Sequence, residues 1–137
     1  MAMESQAQEV AARWVRVLDF ERVDSELGEF YAGERARVVA EFEAGQAQAF
    51  LVSGEGYGGL MLLRFERRLS DGALQLHIVT MKGEGMQNSR ADLARVARAA
   101  GAVAITSDCE DVPIIRMFGR DGWKVEACRM RLDLENE

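Results

Sequence analysis

The residues of this 137-residue chain with the clearest chemical potential lie in its second half. Gly83-Glu84-Gly85, with Lys82 just before it, comes after the apolar run Leu74 to Val79 and precedes a helical pattern from about Asn88 to Ala100. Glycines let a backbone adopt positive φ and approach an anion closely. A helix that begins just beyond adds unpaired N–H groups and a favourable dipole. Phosphate is the ligand such an arrangement holds. The same residues also suit a tight strand-to-helix connection with Asn88 or Ser89 as N-cap. His77 is the only histidine and lies on the strand entering the turn. Imidazole titrates near neutral pH and suits a general base, although a strand histidine often has only a structural role. Glu66 and Glu110 are weaker candidates for the same work. Cys109 and Cys128 lack CxxC spacing and histidine neighbours, and read as buried free thiols of a reducing compartment.

The elements that must position these residues can be read from periodicity. Val10, Ala11, Trp14, Val17 and Leu18 recur at helical spacing and predict an amphipathic helix over 6–18 with Trp14 in the core. Asp24 to Ala32 is less regular and suits a turn or short helix. Glu34 to Ala44 predicts a second helix through Ala36, Val39, Ala40 and Phe42, with Gly45 as its C-cap glycine. Gln48–Ser53 reads as a strand, Gly54 to Gly59 as the turn after it, and Leu60–Leu69 as the partner strand. On that partner strand Met61, Leu63, Phe65 and Arg67 share one face, and Leu62, Arg64, Glu66 and Arg68 the other. Ser70-Asp71-Gly72 is a hairpin turn, and Ala102–Thr106 a further strand after the crossover helix. The expected product is one α/β domain over 1–137: a helical segment 1–32, a helix and first strands 33–72, and a half 73–137 carrying the phosphate turn. Its mixed sheet of five or six strands combines an antiparallel meander with a parallel pair, Leu74–Val79 and Ala102–Thr106, flanked by helices.

Composition narrows the function. A net charge of −6 and a pI of about 4.9 disfavour a nucleic-acid-binding face. The charges in Arg64-Phe65-Glu66-Arg67-Arg68 interleave as on a solvated strand face. One histidine leaves no His-rich metal site. No apolar run approaches the roughly 18 residues of a membrane span, and the first residues lack a signal-peptide pattern. A cytoplasmic protein that binds neither membrane nor nucleic acid is expected.

The order of strand, Gly-x-Gly turn, helix and strand, closed by Gly122-Trp123, resembles the cofactor-binding half of the GNAT (GCN5-related N-acetyltransferase) superfamily over roughly 35–132. That resemblance implies acetyl-CoA as cofactor, its pyrophosphate held by Met81, Lys82, Gly83, Glu84, Gly85, Met86 and Gln87. It also implies His77 as the base. The family's turn begins with Gln or Arg where this chain has Thr80. Aligned on Gly122-Trp123, Phe118 takes the place of the family's proton-donating Tyr, Asp111 that of its Asn, and Ile114 that of a small residue. Cys109 or Tyr57 is then the substitute acid. The family begins with a strand where a helix is expected here, and ends with two strands where 123–134 has room for one. An exposed sheet edge open to a protein partner or a second copy is implied. These departures lead to two expectations: an acyl-CoA-binding protein with weak or no N-acetyltransferase activity, or a non-catalytic GNAT-like assembly component, as in the particles of tailed phages.

Overall fold

A computed structural model describes residues 12–107. Among these residues five strands form one sheet, in the order β1-β2-β3-β4-β5. These are β1 (Arg13–Val17), β2 (Ala47–Gly54), β3 (Tyr57–Arg67), β4 (Leu74–Glu84) and β5 (Ala104–Ser107). The first three pairings are antiparallel and β4–β5 is parallel. The expected meander with a parallel neighbour is therefore present.

The opening residues differ from expectation. Arg13-Trp14-Val15-Arg16-Val17 is a strand paired with β2, not the end of a helix. Helical spacing of apolar residues gave way to a β-branched and aromatic run beside an available strand edge, where tertiary pairing overrides local periodicity. Trp14 is half-buried, tilted against Phe50 with ring centroids 6.0 Å apart. The sheet thus has a first strand where a helix was expected; residues 6–11 and 123–134 lie outside the described region.

Helix α1 (Phe20–Leu27) is capped by Asp19, whose carboxylate accepts from the Glu21 amide. Two short 3-10 turns, Gly28–Phe30 and Ala32–Glu34, lead to α2 (Arg35–Glu43). The inward residue of α2 is Val38, with Phe42 beside it, while Ala36 and Ala40 are exposed. Gly45 at φ 79° ends α2 as expected: its amide reaches the Phe42 carbonyl and that of Gln46 reaches Glu41, the paired bonds of a Schellman stop. Helix α3 (Arg90–Ala99) crosses from β4 to β5.

The helices cover the two faces of the sheet. Val23 and Leu27 of α1 and Val38 of α2 pack with Ala47, Ala49, Leu60 and Leu62 on one face. On the other, Leu93 and Ala97 of α3 pack with Val52, Met61, Leu63, Leu76 and Ile78. The alternation expected for 60–68 is the one found. The hairpin around Asp71 also forms as read, with Gly72 at φ 70° and the Asp71 carboxylate accepting from the Ala73 amide. The 54–59 turn is shorter than expected. Only Glu55 and Gly56 lie between Gly54 and Tyr57, which are paired, and Gly58 and Gly59 belong to β3.

Candidate functional site

Strand β4 is longer than its sequence pattern predicts, and this changes the role of the glycine turn. Gly83 and Glu84 are its last residues, paired with Gly59 and Gly58 of β3. Only Gly85 turns, at φ 64°, into a 3-10 turn Met86–Ser89 that runs on into α3. A Cβ on Gly83 would meet the Gly58 carbonyl oxygen and lie 2.6 Å from the Gly59 Cα. A Cβ on Gly85 would meet the Gly56 carbonyl. Both glycines are therefore required by the close approach of two backbones, whatever else binds there. Asn88 tightens the same corner, its side-chain amide donating to the Gly56 carbonyl at 2.9 Å. Ser89 takes the N-cap position of α3, as expected, but its hydroxyl donates back to the Met86 carbonyl at 2.6 Å and gives the helix no side-chain cap.

Of the residues assigned to the pyrophosphate turn, Lys82, Gly83, Glu84 and Gln87 are exposed, while Met81 and Met86 pack against the α3-side core. The segment sits at a break in the sheet. The β3–β4 register shifts between Leu62 and Leu63, so that Val79 is an extra residue on β4. Among the described residues, β4 pairs with β5 only over Gln75–Ile78. The bulge therefore falls one residue past the last parallel pair, and β4 runs on to Glu84 hydrogen-bonded to β3. Bulges of this kind bend a strand and re-aim the residues beyond them. The C-terminal ends of parallel strands, with a helix starting beside them, are where open α/β sheets bind ligands.

His77 sits before the bulge, on the α1–α2 face. It is buried, pairs across the ladder with Arg64, and its Nδ1 lies 2.8 Å from the Thr106 hydroxyl of β5. Tyr57 is on the opposite face. Its hydroxyl donates to Asp92 at 2.7 Å and accepts from the Trp14 indole at 3.0 Å. Burial raises the Tyr57 pKa, and the Asp92 carboxylate adds to that. This tyrosine joins β1, β3 and α3, and is not brought together with His77. Phe118, Asp111, Ile114, Gly122, Trp123, Cys109, Glu110 and Cys128 lie outside the described residues.

A polar cluster around Arg64 departs from the sequence-based expectation. The stretch 64–68, expected to be a solvated face, begins with an arginine that is only 4% exposed. Arg64 Nε donates to Glu41 of α2, and its Nη1 reaches Glu66 at 3.4 Å. Arg37 donates to Glu41 at 2.7 Å. Burial pushes the Glu41 carboxyl up, but hydrogen bonds from Arg37 and Arg64 outweigh it, and its pKa is lowered. The signal was in the sequence: Leu60-Met61-Leu62-Leu63 is apolar on both faces, so the next residue of the same strand is also covered. Among the described residues no group of His, Cys, Asp and Glu could hold a metal, and no helix is long and apolar enough to cross a membrane.

No protein-family model and no curated protein matches the sequence. Solved structures do match its fold. An acetyltransferase of Trypanosoma brucei is 14% identical, with a TM-score of 0.59 over 90% of this chain and 99% of that one. A GNAT family acetyltransferase of Staphylococcus aureus is 12% identical, with a TM-score of 0.58 over the same shares. Glucosamine-6-phosphate N-acetyltransferase of Arabidopsis thaliana is 13% identical, with a TM-score of 0.54 and again 90% and 99% coverage. Identities this low speak to architecture alone. In architecture, the chain has the fold of the GNAT acetyltransferases.

Proposed function

We propose that the protein binds an acyl-CoA where β4 hands over to α3, and that it transfers the acyl group to amines slowly or not at all. The observation that carries this reading is the bulge at Val79, one residue past the last β4–β5 pair. Beyond it the backbone of Met81–Gln87 leads to the start of a helix, a setting that favours a phosphate. Lys82 is the exposed cation of that segment. Acyl-CoA would supply an activated thioester; this chain would contribute backbone donors and one positive charge.

Weak chemistry is expected from the side chains. The Tyr57 hydroxyl is committed to Asp92, on the face away from His77. His77 is buried beside Thr106. General acid–base assistance is worth about 10²–10⁴-fold in rate, so a protein with only one of the pair in place turns over slowly. Thermal unfolding with and without acetyl-CoA tests the binding. A ligand at about 100 times its Kd stabilises the native state by about 2.7 kcal/mol, and no shift at millimolar acetyl-CoA refutes the reading.

A second reading is favoured by the steric role of Gly83 and Gly85, which leaves those glycines fully accounted for without a ligand. It is a GNAT-fold protein that has given up chemistry for assembly, in a phage particle or elsewhere, with a partner along the sheet edge. It predicts no response to acetyl-CoA and a concentration-dependent mass in sedimentation.

A further inference from the structure

The Arg64 cluster contains a donor with nowhere to go. Arg64 Nη2 is buried and has no hydrogen-bond partner among the described residues. The Glu34 carboxylate stands 3.9 Å from it, too far for a hydrogen bond. The other two guanidinium nitrogens are engaged by Glu41 and Glu66, so the side chain is held in place while Nη2 has no acceptor among the described residues. A buried charged N–H without an acceptor is costly. Glu34 ends a 3-10 turn, makes no capping bond for α2, and its side chain is 45% exposed. Its carboxylate stands beside Nη2 without bonding to it.

We propose that Arg64 is a ligand-binding group, and that its ligand is a small zwitterionic amino acid whose carboxylate takes the place now covered by Glu34. Exchanging one carboxylate for another leaves the charge beside Arg64 unchanged, and the planar guanidinium suits a carboxylate. Around this point Glu34, Glu41 and Glu66 face Arg37 and Arg64, one negative charge in excess. A simple anion is repelled by that excess. A zwitterion is not, because its ammonium group meets the carboxylate of Glu66, which stays in place when Glu34 is displaced. Arg64 pairs across the ladder with His77, so the ammonium end lies on the face that carries the histidine. The inference deepens the proposed function, on which it rests: it names the amine as that of an amino acid.

Calorimetric titration of glycine, acetate and ethylamine into the full chain, without any CoA, tests it. Glycine is expected to bind more tightly than either half-molecule. Glu34→Ala, a change at an exposed position, should tighten glycine about fivefold, the fold-change that loss of a competing half-exposed ion pair permits. Arg64→Lys, which keeps the charge but not the fork, should weaken it, with circular dichroism confirming the fold. Ethylamine binding as well as glycine overturns the proposal, as does absence of glycine binding to Glu34→Ala. Acetyl-CoA affinity, measured separately without glycine, reports on the cofactor reading alone, so the two can fail independently.

Discussion

At the Tyr57–Gly59 end of the β3–β4 ladder the strands close until no Cβ fits between Gly59 and Gly83. At the Arg64–Arg67 end the same two strands carry Arg64, Glu66, Gln75 and His77 on one face, and one buried guanidinium nitrogen has no acceptor among the described residues. The first region has a motif that suggests a ligand, yet packing explains its glycines. The second has no motif, yet packing leaves it incomplete. A glycine pattern records where backbone must come close and does not say to what. An unsatisfied buried donor is the more informative sign, because folding alone gives no reason for it.

Gly85→Val should do the most damage, and it strikes the first region. It places a Cβ against the Gly56 carbonyl at a φ of 64°, and should cost about 3–4 kcal/mol in denaturant unfolding. Gly83→Ala isolates the collision, since Gly83 has no positive φ, and should cost less. If either variant keeps wild-type stability, the glycines are free of packing duty and the ligand role regains its weight.

Next comes the second region. Glu41→Gln removes the charged partner of Arg64 Nε, whose side chain is 5% exposed. Glu34 and Glu66 remain nearby, so about 2 kcal/mol is expected rather than the full effect of an orphaned buried charge. The same variant bears on the pH dependence. The Glu41 pKa is lowered below its ordinary 4.5 in the folded chain. Its contribution is therefore fully present above that value and lost as pH falls through the lower, folded-state value. Acid unfolding of Glu41→Gln should lack that component; an unchanged profile would place the acid sensitivity elsewhere.

Smaller still, Tyr57→Phe removes a hydroxyl bonded to both Trp14 and Asp92, at about 1 kcal/mol. Any acetyl transfer should survive it, because Tyr57 faces away from His77. Loss of turnover in a folded Tyr57→Phe protein would make this tyrosine the missing acid.

Much of the architecture was legible in the sequence. Alternation in 60–68, the Asp71-Gly72 turn and the helix between two apolar strands suffice for a mixed sheet with a parallel pair. Trp14 shows where this stops: a five-residue strand at a sheet edge carries too little pattern to compete with a chance helical spacing. β4 shows a second limit. Gly83 and Glu84 look like a turn because glycine is rare in strands, and only the opposing Gly58 and Gly59 reveal that the ladder runs through them. The burial of Arg64 could be read from the apolar run before it, but its partners could not: they depend on α2 folding over β3, a contact between residues 23 positions apart (Glu41 and Arg64).

Calorimetric titration of acetyl-CoA into the wild-type chain and into Lys82→Glu decides whether the corner between β4 and α3 holds a cofactor. Lys82 is exposed, so the substitution leaves the fold intact while placing a carboxylate beside the backbone of Met81–Gln87. A single site is expected in the wild type, with binding weakened roughly fivefold in the variant. No heat of binding in the wild type, or equal affinity in both proteins, would contradict acyl-CoA binding at this corner.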